Sequence, residues 1–376
     1  MWKEDDKMAF QREYMELAIK LAKKGEGAVN PNPLVGAVIV RDGKIIGQGY
    51  HARYGDLHAE RAAFASLTES AEGAEMYVTL EPCCHYGKQP PCVEAIVEHK
   101  IACVYVGSDD PNDKVCGKGI QYLREHGVEV HTQMMKEECD ELNSVFFHYI
   151  TTKTPYVVLK YAMTIDGKIA AYTGESKWIS NENSRQRVHE MRNRYMGIMV
   201  GIGTVLADNP NLTCRMDGGR NPIRIVCDSK LRIPLDCNLV KTAGEVETIV
   251  AYTVCNENDS QAMTDKINKL NQAGVVTIEV SQTDFELDLN DLMVKLGKRG
   301  IDGIMLEGGG TLNYSAVMSG IVNEVDVFLA PKVLGGVDAI TPVEGQGVET
   351  PDIAKMFVPK GMEQIDDDIY IRYVAR

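Results

Sequence analysis

A histidine, a glutamate and two cysteines in the first quarter of the chain have the residue types and spacing of a catalytic metal site. The chain contains His58-Ala59-Glu60 and then TLEPCCHYGKQPPCVEA, a segment that includes Cys83 and Cys92. One neutral imidazole and two thiolates are ligands suited to zinc, and three protein ligands leave a fourth tetrahedral position open for water. Bound zinc lowers the pKa of that water, and a nearby carboxylate can carry the released proton.

Each of these residues also has a simpler interpretation when it is taken alone. A single cysteine is often a small buried hydrophobe, the pair Cys83 and Cys92 could be inert, and an isolated His-x-Glu is a weak signal. The joint pattern, in which a strand ends in Pro-Cys after a His-x-Glu, is typical of zinc nucleobase deaminases and favours zinc. We expect helices to begin near both cysteines and to stabilise their thiolates. Cys84 adjoins Cys83 and should point elsewhere.

The elements around this pattern alternate between strands and helices. MAFQREYMELAIKLAKKG has helical periodicity and should end at Gly25, whereas PLVGAVIV and IIGQGYH are predicted strands joined by a turn at Asp42-Gly43. LHAERAAFASL is a predicted helix, and EMYVTLE is a strand that leads into the cysteine segment. This alternation predicts a layered α/β domain with a partly parallel sheet.

A second α/β pattern begins after the polar segment TTKTP, so we place a domain boundary between residues 153 and 154. PYVVLKYAM is a predicted buried strand, SNENSRQRVHEMRNR a helix and YMGIMVGIGT another strand. Two late strands, in EVDVFLAPKVLGG and IYIRYVAR, should pair antiparallel. A length of 376 residues also suits two domains.

The first half resembles the deaminase half of bifunctional riboflavin-biosynthesis deaminase-reductases. The resemblance runs from Met8 to about Val130 and rests on NPNPLVGAVIV, GYH, HAE and the insertion HYGKQPP between the cysteines. It implies a cytidine-deaminase-like three-layer α/β/α domain over residues 1–153. The implied zinc ligands are His58, Cys83 and Cys92, and the implied proton shuttle is Glu60. The implied substrate contacts are Asn32, His51, His85 and Lys88.

The second half resembles the reductase half of the same enzymes, from about Pro155 to Gly336. The motifs are LKYAMTIDGKIA, GESKWIS, VGIGTVLADNPNLTCR, PIRIVCDS and EGGGTL. They imply a dihydrofolate-reductase-like α/β domain over residues 154–376 that uses NADPH. The implied cofactor contacts are Ala162, Trp178, Thr204, Asp208, Ser229, Gly309, Gly310, Thr311, Leu312, Asn313, Tyr314 and Ser315. The implied substrate contacts are Ser176, Arg192, Leu212, Arg215 and Glu307.

Several of these residues also make chemical sense without the resemblance. No strand–GxGxxG–helix unit is present, but EGGGT follows a predicted strand and precedes a helix, where backbone N–H groups can bind a phosphate. Guanidinium groups such as those of Arg192 and Arg215 bind phosphate in a bidentate manner. Lys160 and Asp208 are the polar groups that we place near the reacting sugar carbon. Lys230 and Arg232 follow Ser229 in the sequence, and their positive charges could bind the 2′-phosphate that distinguishes NADPH from NADH.

Composition limits the possible partners. A formal net charge of −14 argues against general binding to nucleic acid or membrane surfaces. The N-terminus lacks the apolar core of a signal peptide, and ten dispersed cysteines do not form a disulfide framework, so we expect a cytoplasmic enzyme. The resemblance implies a small phosphoribosylated pyrimidine substrate and a homo-oligomer. The alternatives are an RNA-editing deaminase with an unrelated C-terminal module and a non-catalytic zinc protein.

Overall fold

The computed structural model describes residues 10–87, 89–113, 115–254, 260–283 and 286–376. The chain divides into two compact units, Met1–Thr152 and Lys153–Arg376. The boundary predicted from the sequence lies one residue further along the chain. Within the described residues, no helix has both the length and the apolar character needed to cross a bilayer.

The N-terminal unit contains five strands and six helices among its described residues. The strands are β1 (Gly36–Arg41), β2 (Lys44–Tyr50), β3 (Glu75–Leu80), β4 (Cys103–Ser108) and β5 (Glu129–His131). The helices are α1 (Arg12–Ala22), α2 (Ala59–Ala65), α3 (Cys92–Glu98), α4 (Lys118–Glu125), α5 (Lys136–Leu142) and α6 (Ser144–Thr152), and a 3-10 turn, Lys23–Gly25, extends α1.

The strands form one mixed sheet in the order β2-β1-β3-β4-β5. β1 pairs antiparallel with β2 and β3, whereas β3, β4 and β5 are parallel. The turn between β1 and β2 has positive φ at Asp42 (50°) and Gly43 (72°), as the predicted Asp-Gly hairpin turn requires. The parallel strands β3 and β4 end at the same edge of the sheet, and the cysteine segment follows β3 there.

Alternate side chains of each strand pack against helices on opposite faces of this sheet. Val38 and Val40 lie in the apolar cluster that includes α1 residues, while Ala37 and Ile39 lie in the cluster that includes residues of α2, α3 and α4. This period-2 division explains the near-continuous apolar sequence of β1, because both faces of a central strand are covered. The result is the predicted three-layer α/β/α arrangement.

The C-terminal unit contains a second, larger sheet. Its strands include β6 (Tyr156–Thr164), β7 (Gly197–Gly201), β8 (Ile223–Cys227), β9 (Thr248–Tyr252), β10 (Val276–Glu279), β11 (Gln282–Thr283), β12 (Glu286–Leu287), β13 (Gly303–Leu306), β14 (Val322–Ala330), β15 (Phe357–Ile365) and β16 (Asp368–Ala375). Its helices include α7 (Glu182–Arg194), α8 (Ile202–Asp208), α9 (Asn238–Lys241), α10 (Ser260–Gln272), α11 (Leu289–Lys298) and α12 (Gly310–Ser319).

Nine of these strands pair in the order β10-β9-β8-β7-β13-β6-β14-β16-β15, and β11 pairs with β12 separately. Within this sheet, the seven strands β10, β9, β8, β7, β13, β6 and β14 are all parallel to their neighbours in that series. Their carboxyl ends therefore lie at one edge. The predicted antiparallel pairing of the two late strands is correct for β14 and β16, but β14 also pairs parallel with β6.

One predicted strand is too long. YMGIMVGIGT is strand only from Gly197 to Gly201, and Ile202–Asp208 is the helix α8. The apolar periodicity of this segment does not distinguish the last strand residues from the first helical turn, because both are buried. The correction matters for function, since it places a helix N-terminus at the carboxyl edge of the sheet.

Candidate active sites

Three elements of the N-terminal unit bring a histidine and two cysteines together. His58 precedes the first residue of α2, Cys83 follows β3, and Cys92 is the first residue of α3. His58 Nδ1 lies 3.4 Å from the Sγ atoms of both Cys83 and Cys92. The three ligand atoms lie within 4.8 Å of one another. A tetrahedral zinc with ordinary bond lengths separates its nitrogen and sulfur ligands by about 3.6 Å, so this donor set fits zinc.

The expectation of a helix at each cysteine is correct only for Cys92. Cys83 lies in an irregular segment before α3, and its carbonyl and Sγ accept the backbone N–H of Cys92, at 3.0 and 3.4 Å respectively. Hydrogen bonds from the Cys92 thiol and from His58 lower the pKa of Cys83, although burial opposes them. A thiolate is the form in which cysteine binds a metal.

Glu60 lies beside the three ligands, in the first turn of α2, and its side chain contacts Cys92. It is only 4% exposed. Burial and then the Cys83 thiolate raise the pKa of Glu60 to about 7. A cation held by the three ligands opposes that rise, because an opposite charge favours the carboxylate. Glu60 therefore lies where a carboxyl group can both accept and donate a proton.

The predicted substrate residues Asn32 and His51 contact each other. His51 is buried, its Nδ1 lies 3.0 Å from the carbonyl of Leu57, and its Nε2 lies 3.1 Å from Asn32 Nδ2. A carbonyl only accepts, so Nδ1 carries the proton and Nε2 accepts from the amide of Asn32. This contact leaves the Asn32 carbonyl oxygen available for another donor.

The remaining predicted positions near the cysteines differ in their surroundings. His85 is partly exposed, and its Nδ1 is buried without a hydrogen-bond partner in the described part of the chain. Cys84 packs at the margin of the apolar cluster and lies outside the group of three ligands, as expected. Lys88 lies outside the described residues.

Sequence reasoning missed a buried carboxylate that supports the cysteine segment. Glu81, two residues before Cys83, is 3% exposed and accepts the backbone N–H groups of Gly117 and Gly119, each at 3.0 Å. A Cβ at Gly119 would lie 2.2 Å from the carbonyl oxygen of Pro82, so only glycine permits this close approach. Glu81 thus joins the end of β3 to the start of α4. The signal was Glu-Pro-Cys, in which a charged residue follows an apolar strand.

Cys103, Glu129 and His131 also bring possible ligand atoms within 4.8 Å of one another. Burial raises the pKa of Cys103 to about 12, and His131 Nε2 lies 3.0 Å from the carboxylate of Glu129. The imidazole of His131 is already bound by Glu129, so this group is a poorer candidate than the first one. Two groups of residues thus satisfy the distance condition for a metal site, and the chemistry of their side chains decides between them.

The C-terminal unit contains a cavity of about 810 Å³ at the carboxyl edge of its parallel strands. This edge is where open α/β sheets bind ligands. Most residues predicted to contact cofactor or substrate line it: Lys160, Ala162, Ser176, Trp178, Arg192, Thr204, Asp208, Leu212, Arg215, Ser229, Glu307, Gly309, Gly310, Thr311, Leu312 and Ser315.

Two predicted cofactor contacts, Asn313 and Tyr314, do not place their side chains in this cavity. Asn313 is buried and donates to the carbonyl of Pro342 at 2.8 Å, and the Tyr314 hydroxyl donates to the carbonyl of Gly347 at 3.1 Å. Successive helix residues point about 100° apart, so a helix entering the cavity by its N-terminus presents only some of them. A Cβ at Gly310 would lie 2.4 Å from the side chain of Glu344, so a larger residue here would displace that side chain.

A buried ion cluster occupies the floor of the cavity. Glu307 accepts from Lys160 Nζ at 3.1 Å and from Arg192 Nη2 at 2.7 Å. Burial alone would raise the pKa of Glu307, but Arg192 and Lys160 outweigh it and hold the pKa at about 2. Two cations share one carboxylate here, which leaves a net positive charge that favours an anionic substrate.

The far end of the cavity lies beside β8. Ser229 and Arg232 line it, whereas Lys230 is not among the lining residues. β8 and β6 are separated by β7 and β13, so Ser229 and Lys160 lie about 14 Å apart across the sheet at ordinary strand spacing. An extended ligand can therefore contact the ion cluster at one end and Arg232 at the other.

His189 is a cavity residue that sequence reasoning missed. It lies on α7, is 8% exposed and contacts Arg215 through its ring. No short motif marked it, because its partner is 26 positions away. The only sequence signal was a histidine within an otherwise charged helix.

Comparison with known proteins connects both units to one family. The family described as RibD C-terminal domain matches residues 155–371, and the cytidine and deoxycytidylate deaminase zinc-binding region matches residues 8–108. The riboflavin biosynthesis protein RibD of Actinobacillus pleuropneumoniae is 51% identical over 363 residues, which cover 96% of this chain and 95% of that protein.

Solved structures agree over nearly the whole length. A diaminohydroxyphosphoribosylaminopyrimidine deaminase/5-amino-6-(5-phosphoribosylamino)uracil reductase of Thermotoga maritima superposes with a TM-score of 0.84 at 36% identity, covering 97% of this chain and 98% of that one. One crystal form of Acinetobacter baumannii RibD gives a TM-score of 0.84 at 34% identity with the same coverage.

Proposed function

Because this chain belongs to the RibD family of riboflavin biosynthesis proteins, we propose that each of its two units catalyses one of two consecutive reactions. The N-terminal unit hydrolyses the 2-amino group of 2,5-diamino-6-(5-phosphoribosylamino)pyrimidin-4-one and releases ammonia. The C-terminal unit then reduces the ribosyl side chain of the uracil product to ribityl with NADPH.

Family membership confirms the coarser predictions. The chain is a two-domain α/β protein, a bifunctional deaminase and reductase of riboflavin biosynthesis that uses zinc and NADPH and acts on a small molecule. Membership over nearly the whole chain disfavours an RNA-editing deaminase with an unrelated C-terminal module. The observation that carries the proposal is the placement of a zinc-type donor set beside a buried carboxylate.

In the deaminase site, His58, Cys83 and Cys92 would hold zinc, which when bound lowers the pKa of a water molecule. Glu60 accepts a proton from the attacking water and donates it to the departing amino group. The water oxygen adds to C2 first, and the C–N bond then breaks as the protonated amino group leaves, so water is consumed and ammonia is released. Burial raises the pKa of Glu60 and so favours its protonated form, whereas a bound cation would favour the carboxylate that accepts the first proton.

Four other residues would hold the pyrimidine and its phosphate. The carbonyl oxygen of Asn32, oriented by His51, suits an N–H donor of the substrate. The Nδ1 of His85, which has no partner among the described residues, suits a polar group of the substrate, and the ammonium group of Lys88 suits an anionic one.

In the reductase site, NADPH supplies the hydride when bound. The N–H groups at the start of α12 and α8 suit phosphate oxygens of the cofactor, and Ser229 and Arg232 suit the 2′-phosphate. Lys160, held by Glu307, lies at the opposite end of the cavity, where the sugar carbon would react. Asp208 lies along α8, four residues after Thr204, and lines the same wall.

We also propose that the enzyme is cytoplasmic, binds no nucleic acid and forms homo-oligomers. Thiolate ligands and NADPH chemistry suit a reducing compartment, and the net charge of −14 disfavours nucleic acid. Exposed apolar residues on the edge strand β15, Val358 and Met362, are consistent with self-association.

The test combines metal analysis with turnover. We expect one zinc per chain, ammonia release from the diaminopyrimidine without NADPH, and NADPH oxidation only after deamination or with pre-deaminated substrate. A protein that contains zinc but releases no ammonia from this substrate would contradict the deaminase assignment. Absence of NADPH oxidation with pre-deaminated substrate would contradict the reductase assignment.

A further inference from the structure

The two arginines predicted to clamp the substrate phosphate differ in what they already bind. Arg192 is mostly buried and donates to Glu307 at 2.7 Å and to the carbonyl of Thr213 at 3.1 Å. Arg215 is exposed at the cavity wall, and within the described part of the chain its terminal nitrogens make no hydrogen bond. Both terminal nitrogens of the Arg215 guanidinium are therefore available for an anion. Each terminal nitrogen of Arg192 already makes one hydrogen bond, and its buried Nε has no partner within the described residues.

One side chain determines where that fork points. Arg215 Nε lies 3.1 Å from His189 Nε2, and the backbone N of Arg215 lies 3.3 Å from His189 Nδ1. The preceding residue, Cys214, donates its thiol to the carbonyl of His189 at 3.4 Å. The loop that carries Arg215 is thus attached to α7 at His189 by three contacts, one of which involves the guanidinium itself.

The surroundings of His189 keep its ring in the form that can accept a hydrogen bond. Burial, Arg192 and Arg215 together lower the pKa of His189 to about 4, although Glu307 opposes them. A neutral imidazole has one unprotonated nitrogen, so it can accept from only one of the two Arg215 donors. When Nε2 accepts from Arg215 Nε, Nδ1 carries the proton, and the 3.3 Å approach of the Arg215 backbone N to Nδ1 is a packing contact and not a hydrogen bond. A bond to Nε leaves both terminal nitrogens of the guanidinium free for a bidentate contact.

We propose that His189 is a positioning residue that fixes the guanidinium of Arg215 for the phosphate group of the reductase substrate. This inference rests on the proposed reductase function. It assigns the phosphate contact to Arg215 and assigns Arg192 the different task of holding Glu307. His189 itself contacts neither the substrate nor the cofactor in this assignment.

Three substitutions of His189 separate positioning from general packing. His189→Ala removes both ring contacts. Glutamine places its terminal oxygen near the Nε2 position, so His189→Gln can accept from Arg215 Nε. Asparagine reaches only the Nδ1 position, so His189→Asn can accept only from the backbone N–H of Arg215.

The test is isothermal titration of full-length variants with ribose 5-phosphate, and with ribose as the ligand that lacks the phosphate. Arg215→Ala defines the component of binding that depends on this arginine. We expect His189→Ala and His189→Asn to weaken that component about tenfold. In both variants the Arg215 guanidinium loses the partner that orients it, so its charged hydrogen bonds to the phosphate become weaker. His189→Gln should restore most of it, and ribose should bind all variants alike.

The double variant His189→Ala/Arg215→Ala decides whether the two residues act together. We expect it to bind ribose 5-phosphate no more weakly than Arg215→Ala, because His189 acts only through Arg215. Additive losses, equal rescue by Asn and Gln, or wild-type affinity in Arg215→Ala would each overturn the inference. These measurements need no turnover, so they are distinct from failure of the proposed reductase activity, which the NADPH oxidation assay detects.

Discussion

Cys83 and Cys84 are adjacent in the sequence but have different environments. Cys83 shares hydrogen bonds with His58 and Cys92, while Cys84 lies at the margin of an apolar cluster, where burial raises the pKa of its thiol. The Sγ of Cys84 also lies outside the group formed by His58, Cys83 and Cys92, so Cys84 is not placed to bind the same ion.

The first prediction uses this contrast. Cys83→Ser and Cys92→Ser should each lose most of the bound zinc and lower the thermal midpoint of the protein, because metal binding is coupled to folding. Cys84→Ser is the matched control and should keep the zinc content and midpoint of the wild type. The measurements are zinc content by atomic emission and thermal unfolding with and without a chelator. Equal zinc loss in all three variants would show that the ligands are misassigned.

The zinc-site residues could be predicted from sequence because all of them lie in two short motifs, His58-Ala59-Glu60 and the segment from Cys83 to Cys92. Glu81 and His189 could not, because each is defined by a partner far along the chain: Glu81 by Gly117 and Gly119, and His189 by Arg215. A buried carboxylate or a positioning histidine has no local signature. Its role appears only when the fold supplies the donors that it must satisfy.

At the scale of elements, the sequence predicted most strands and helices but not every boundary or neighbour. The end of β7 at Gly201 was misplaced because the apolar run continues into α8. The double pairing of β14, parallel to β6 and antiparallel to β16, was missed because strand partners are chosen by tertiary packing. The Asp42-Gly43 turn was predictable because turn geometry depends on local φ preferences.

The arrangement of parallel strands leads to a prediction about cofactor choice. Arg232 lines the cavity beside Ser229, whereas Lys230, two positions earlier, does not. Arg232→Ala should weaken binding of NADPH by about 1–3 kcal/mol, the range for hydrogen bonds to charged groups, and should barely change binding of NADH. Lys230→Ala removes the same charge from the same loop and should leave both affinities unchanged.

The measurement for this pair is the dissociation constant of each nicotinamide nucleotide, with 2′,5′-ADP and 5′-AMP as ligands that cannot react. Arg232→Ala should lose affinity for 2′,5′-ADP alone. If Lys230→Ala lost the preference for the 2′-phosphate and Arg232→Ala kept it, the cofactor would lie differently along the strand ends. Equal losses in both variants would indicate a general effect of charge.

Among the described residues, each of the two candidate sites is built from the residues of one unit. Zinc-type ligands and Glu60 come from Met1–Thr152, and the ion cluster around Glu307 comes from Lys153–Arg376. Each unit has its own sheet and its own apolar clusters. Separate cores predict that damage to the chemistry of one unit leaves the other unit folded and active.

Reciprocal substitutions test this separation. Glu60→Gln keeps the three zinc ligands but cannot shuttle a proton, so deamination should fall by about 10²–10⁴-fold while zinc content stays the same. Reduction of pre-deaminated substrate by this variant should match the wild type.

Glu307→Gln is the counterpart, since it removes the charge that holds Lys160 and Arg192. It should lower reduction by roughly tenfold or more while deamination persists. Each variant is therefore the folding control for the other, in assays of ammonia release and NADPH oxidation on the same preparations. A Glu60→Gln protein that reduced pre-deaminated substrate poorly while retaining its zinc would show that the two reactions depend on each other in a way that separate cores do not predict.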